Sequence, residues 1–185
     1  MARLLEFYNK QVTKELKEKY KLKNIMQVPR MEKIVINMGI GDAKDDAKVI
    51  EIVAEEMASM TGQKPVITRA KKSISNFKIR EGMPVGCMVT LRGIRMYEFM
   101  DRLISLAIPR IRDFTGLNPN SFDNNANYNF GLSEQHIFPE VNIEKSDRVR
   151  GMNITFVVST KNKDMARDLL MFLGMPLKGK TKKSA

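Results

Sequence analysis

Glu32-Lys-Ile-Val-Ile-Asn-Met-Gly-Ile-Gly-Asp42 is the stretch on which the fold of this chain turns. Ile34, Ile36 and Met38 alternate with Lys33, Val35 and Asn37, the period of two expected of a half-buried strand. Gly39-Ile40-Gly41 then turns the chain, and Asp42 is suited to cap a helix, with Asp45 and Asp46 near the positive end of its dipole. Val49, Val53, Met57 and Met60 follow at helical spacing until Gly62 stops the helix. A strand, a glycine turn and an amphipathic helix in direct succession predict a chain in which helices cover a sheet.

Outward from this stretch the same alternation of periods recurs. Toward the N-terminus, Leu5, Tyr8, Val12, Leu16 and Tyr20 mark a helix over Arg3–Tyr20, with lysines on its wetter sides. Toward the C-terminus a short strand holds Val66 and Ile67, and Arg69–Pro84 reads as a long exposed loop without a clean period. Val85–Arg92 returns to strand alternation, with Cys87, Val89 and Leu91 on one face and Met88, Thr90 and Arg92 on the other. A helix over Arg95–Ala107 is expected to bury Met96, Phe99, Leu103 and Leu106. The Asn-rich Pro119–Gly131 stretch reads as a short hairpin or ordered loop footed by Phe122, Tyr128 and Phe130.

Met152–Thr160 is the cleanest strand, and a final helix capped by Asn162 carries Met165, Leu169, Leu170, Phe172 and Leu173. One domain over residues 1–177 is expected, followed by a mobile lysine-rich tail, 178–185. The predicted class is α+β: a two-layer sandwich with a mostly antiparallel sheet and helices on one face. Its open sheet face would be a platform for RNA, in the manner of the RNA-recognition architecture.

Composition narrows the function. Lysine and arginine number 32 against 21 acidic residues, a net charge of +11 with an isoelectric point near 9.8. That excess favours a polyanionic partner. No segment approaches the run of roughly 20 apolar residues that spans a membrane, and Met1–Glu6 lacks an apolar signal core. The single cysteine, Cys87, excludes an internal disulfide and suits a reduced, cytoplasmic setting.

Catalysis finds little support. Gly39-Ile40-Gly41 lacks the third glycine of a dinucleotide fingerprint, since Lys44 occupies that position. The turn is read as structural, with room for backbone to approach a phosphate. Cys87 is read as a buried hydrophobe and His136, the only histidine, as a loop residue near Glu134 and Glu140. No metal or cofactor site is expected.

The basic stretch is more informative. Lys64, Arg69, Lys71, Lys72, Lys78 and Arg80 precede any acid, with Phe77 and Ile79 interleaved. Charges so concentrated repel one another unless partnered, and an aromatic among them can stack on a base, so RNA contact is expected. Neutral Asn37, Thr90 and Gln63 form a second candidate surface, able to bond riboses and base edges without desolvating a charge.

At this point Val28–Asp42 resembles the N-terminal strand and turn of the universal family of ribosomal protein number five of the large subunit, in its bacterial form. Thr61–Gly82 is similar to that family's most characteristic block, and Gly86–Gly93, Ile108–Phe114, Phe130–Leu132 with Phe138–Glu140, and Met152–Thr160 follow in order. The resemblance implies a concave antiparallel sheet backed by helices, with a surface that holds 5S ribosomal RNA at the central protuberance. By motif match that role falls on Asn37, Met38, Gly39, Gly41, Gln63, Thr90 and Arg92. It further implies large-subunit ribosomal RNA as a neighbour and a loop, Ser73–Pro84, reaching the elbow of the peptidyl-site tRNA. The tRNA-side set is Arg69, Lys71, Lys72, Ser73, Asn76, Phe77, Lys78 and Arg80. A bridge to protein number thirteen of the small-subunit head is implied as well. The rival expectation is a generic RNA chaperone or translation factor, which would bind many RNAs alike.

Overall fold

Why the N-terminal helix buries every fourth residue is visible in its backbone. In the computed structural model, which describes residues 2–44, 47–142, 146 and 148–178, helix α1 covers residues 3–19 and contains a π-helical turn at Tyr8–Val12. The wider turn suits a spacing of four, so Leu4, Tyr8, Val12 and Leu16 line the buried face and Leu5 moves to its margin. Thr13 Oγ donates to Tyr8 O at 2.9 Å, satisfying a carbonyl in the altered ladder.

Among the described residues five strands follow: β1 (Met31–Gly39), β2 (Val66–Arg69), β3 (Pro84–Leu91), β4 (Tyr128–Leu132) and β5 (Met152–Val158). They form one antiparallel open sheet in the order β2-β3-β1-β5-β4, so the α+β expectation holds. Among the described residues the remaining α-helices are α2 (Ala47–Thr61), α3 (residues 93–107, closing in a π turn at Leu103–Ala107) and α4 (Lys163–Phe172). Asn162 caps α4 as its sequence suggests, Oδ1 accepting from the N–H groups of Asp164 and Met165 at 2.9 and 3.3 Å.

The chain divides into two compact units, each gathered from distant segments. One comprises residues 1–34, 92–130 and 155–185. Its core includes Leu16, Phe99, Leu103, Phe156 and Leu169, and Tyr8 donates to Pro29 O at 3.0 Å. The other comprises residues 35–91 and 131–154. There α2 places Val53, Met57 and Met60 over Cys87, Val89 and the other inward residues of β3.

Several expectations are corrected. Leu106 is exposed and Ala107 buried, because the π turn shifts the inward position by one residue. Ile50 rather than Val49 lies in the core. Asp42 does not cap α2, which begins at Ala47; it sits in a 3-10 turn, Gly41–Lys44, and its carboxylate pairs with Arg148. The Asn-rich stretch does form a hairpin, Asp123 N–H donating to Asn127 O at 2.9 Å, but its second arm is β4, a strand of the main sheet. Asp45, Asp46 and residues 179–185 of the expected tail lie outside the described residues, and Lys178 is still held by its N–H donating to Leu117 O at 2.9 Å.

Burial also shapes the response to alkali. The hydroxyls of Tyr97 and Tyr128 are each pushed up to about 12 by burial. Both tyrosines stay protonated in either state below the ordinary value of 10.0, so their contribution is complete there. Above it the unfolded chain ionises first, and stability is lost as pH rises toward the folded values. Urea midpoints should therefore fall between about pH 10 and about pH 12, and less steeply for Tyr128→Phe. A flat profile over that range would contradict the buried environments.

Candidate nucleic-acid interface

The alternation that buries Ile34, Ile36 and Met38 turns Asn37 to the half-exposed face of β1. The same alternation in β3 exposes Met88 and half-exposes Thr90. β2 pairs with β3 so that Val66 lies opposite Met88 and Thr68 opposite Gly86, placing neutral side chains and a bare backbone side by side. A Cβ on Gly86 would stand 2.5 Å from Met38 O and 3.1 Å from Thr68 Oγ1, so only glycine permits this approach.

Gln63 joins this face from the end of α2. Gly62, at φ +67°, reverses the chain, and Gln63 Nε2 donates to Thr90 O at 3.3 Å. Two of the expected RNA-binding residues thus touch, although 27 positions separate them. Met38 is different: its side chain is fully buried, which leaves only its backbone available to a ligand. Arg92 is exposed where β3 gives way to α3.

The glycine turn does not have the structural cause expected of it. Neither Gly39 nor Gly41 has a positive φ, and a Cβ at either would meet nothing within 4 Å. The open space lies outside the chain. Ile40 between them is buried and anchors the turn, its N–H donating to Val85 O at 2.9 Å.

Two arginines that the sequence did not single out border this turn. Gly39–Asp42 and Arg148–Gly151 line a cleft of about 350 Å³. Arg148 pairs with Asp42, and Arg150, almost wholly buried, lies 3.8 Å from the same carboxylate. Gln135 holds this strip in place, Nε2 donating to Arg148 O at 2.7 Å and Oε1 accepting from Arg150 N–H. The Arg-Val-Arg spacing was a signal, but nothing local linked it to a turn more than a hundred residues earlier.

The basic stretch is an ordered hairpin rather than an irregular loop. Ala70 N–H donates to Met83 O at 2.8 Å, Gly82 N–H to Ala70 O at 2.9 Å, and Ile74 and Ile79 exchange backbone bonds around a 3-10 turn, Ser75–Phe77. Lys78 takes the left-handed conformation at φ 54°. Phe77 is 64 % exposed, and Lys71, Lys72, Asn76 and Arg80 are accessible around it. Two expected contacts have internal duties: Arg69 Nη1 donates to Gly82 O at 2.9 Å, and Ser73 Oγ accepts from Glu81 N–H at 3.0 Å. Asn76–Ile79 also share a cleft with Gly41, so the hairpin and the glycine turn form neighbouring parts of one surface.

The reactive groups lead elsewhere. Cys87 is buried, its thiol pushed up by burial and 3.9 Å from Ile50 O. His136 Nε2 lies 3.2 Å from Ser146 Oγ, a loop contact.

Residues 24–80 match the family model described as ribosomal protein L5, and residues 84–177 match that of the ribosomal L5P family C-terminus. The large ribosomal subunit protein uL5 of Clostridium botulinum (strain Loch Maree / Type A3) is 56 % identical over 176 residues, spanning 95 % of this chain and 98 % of that protein. The uL5 of Thermoanaerobacter sp. (strain X514) is 55 % identical over the same length, with the same coverage of each. Nearly the whole of the chain is matched, through both compact units and in order. The chain therefore belongs to the ribosomal protein L5 family, whose members are structural, non-enzymatic constituents of the large ribosomal subunit.

Proposed function

We propose that this chain binds 5S ribosomal RNA through the neutral sheet face and the glycine turn, and helps to attach it to large-subunit RNA in the central protuberance. The observation that carries the reading is the space over Gly39 and Gly41: the fold has no steric use for glycine there, whereas close approach of an RNA backbone does. Asn37, Gln63 and Thr90, with the backbone of Met38, supply hydrogen bonds of fixed geometry, and Arg92 adds charge at the margin. Lys71, Lys72, Lys78 and Arg80 supply salt-dependent attraction, with Phe77 and Asn76 at the hairpin tip. That hairpin, braced by Arg69 and Ser73, is directed in this reading to the elbow of peptidyl-site tRNA. A further surface meets protein number thirteen of the small-subunit head.

Binding of the purified chain to 5S RNA across a salt series, with tRNA and a scrambled RNA as competitors, tests the reading. Preference for 5S RNA should survive physiological salt; equal binding to all three, collapsing together, would favour the generic chaperone. Asn37→Ala is expected to cost about 1–3 kcal/mol of binding with little change in salt slope, and Lys71→Ala to lower the slope by about one. Gly41→Ala should fold normally and bind 5S RNA more weakly. Equal salt slopes for the sheet and hairpin variants would end this division of labour.

A further inference from the structure

On a strongly basic chain, α2 carries Glu51, Glu55 and Glu56. Glu55 is exposed, but Glu56 retains only 7 % exposure. Neither of its carboxylate oxygens has a hydrogen-bond partner among the described residues. The group borders a small cleft of about 150 Å³ whose walls include Ile52, Glu55, Ser59, Glu140 and Val141. A carboxylate withdrawn from water without a partner is costly, and an entering cation meets an acceptor whose desolvation is already complete.

The form of the cleft selects among cations. No group of three or more His, Cys, Asp or Glu residues able to hold a metal ion occurs among the described residues. An ammonium or guanidinium needs less, because its several N–H donors can be met by a carboxylate and one or two further oxygens. An adjoining cleft of about 570 Å³ shares Glu55 and is walled by Glu51, Ala54, Ala58, Lys64, Pro65 and Ile67, so that its surface is largely apolar with one further acid and one base. Such a wall suits the aliphatic stem of a long basic side chain and the apolar neighbours it has in a polypeptide. A free polyamine has little use for it.

We propose that Glu56, with Glu55 at the rim, receives a lysine or arginine side chain from a basic protein segment laid along α2. The site shares no residue with the RNA surface, so the two readings stand or fall separately. The test uses the full chain and a short fluorescein-labelled peptide of lysines interspersed with alanine and leucine, followed by fluorescence anisotropy at physiological salt. Spermine serves as competitor, and the same peptide with glutamine for lysine as control.

The lysine peptide should bind and the glutamine peptide should not. Glu56→Gln should weaken binding by at least about tenfold and the exposed Glu55→Gln by about threefold, each leaving affinity for 5S RNA unchanged. Unaltered peptide binding by either variant would overturn the proposal, as would failure of the unmodified chain to bind the peptide. Displacement by equimolar spermine would assign the cleft to a free polyamine instead. Should Glu56→Gln fail to fold, Glu55→Gln carries the same decision.

Discussion

Gly86→Ala is expected to destabilise the chain by about 3 kcal/mol and to lower its Tm by roughly 10 °C. The cost does not come from backbone conformation, because Gly86 has no positive φ. It comes from space: the new methyl would lie 2.5 Å from the carbonyl oxygen of Met38. Thr68 Oγ1, at 3.1 Å, can rotate away, but Met38 O belongs to the backbone of β1 and cannot yield without moving the strand. Relief would require β1 and β3 to separate locally, disturbing the ladder that positions Asn37 and Thr90. On the proposed reading of the sheet face, affinity for 5S RNA should consequently fall as well, even at temperatures where the variant remains folded. Thermal melts and RNA titrations together check this; a variant that melts within about 2 °C of the unmodified chain would show that the strands do not approach as described.

Gln135→Leu is expected to cost about 3 kcal/mol for a different reason. Leucine has nearly the volume of glutamine, so little cavity is created. What disappears is a set of bonds at a fully buried position: donation to Arg148 O at 2.7 Å and to Ser146 Oγ at 3.0 Å, and acceptance from Arg150 N–H. The backbone groups of Arg148 and Arg150 would remain buried or half-buried without their partner, and each unmet group costs on the order of 1–3 kcal/mol. The strip should loosen and the cleft beside Gly39–Gly41 lose its wall. Urea unfolding gives the stability, and hydrogen exchange at the Arg150 amide reports the local release. Exchange as slow as in the unmodified chain would contradict the role of Gln135.

These two residues mark the limit of what could be read along the chain. Ile34, Ile36 and Met38 announced β1, Cys87, Val89 and Leu91 announced β3, and Asn162 announced α4, because each signal lies within a few residues and repeats at the period of its own backbone. Membership of the L5 family was legible for the same reason, in contiguous blocks such as Val28–Asp42 and Thr61–Gly82. β4 escaped because five residues, Tyr128-Asn-Phe-Gly-Leu132, are too few and too rich in turn-formers to show a strand's period. The inward shift from Leu106 to Ala107 escaped because a π turn changes the period midway along a helix whose composition gives no warning.

The candidate surface divides along the same line. Asn37, Gln63, Thr90 and the basic stretch follow from local alternation, charge and family motif. That Gln63 bonds to Thr90, that Arg148 and Arg150 border the glycine turn, and that the hairpin tip adjoins Gly41 depends on how the chain segments fold back on one another. No periodicity or motif in the sequence marks Gln135 or Gly86 for the contacts they make. Periodicity is a property of neighbours in sequence, so it survives in a one-dimensional reading. The close approach of Gly86 to Met38 and the bonds from Gln135 to Arg148 and Arg150 come into being only when distant segments pack, and no local pattern records them.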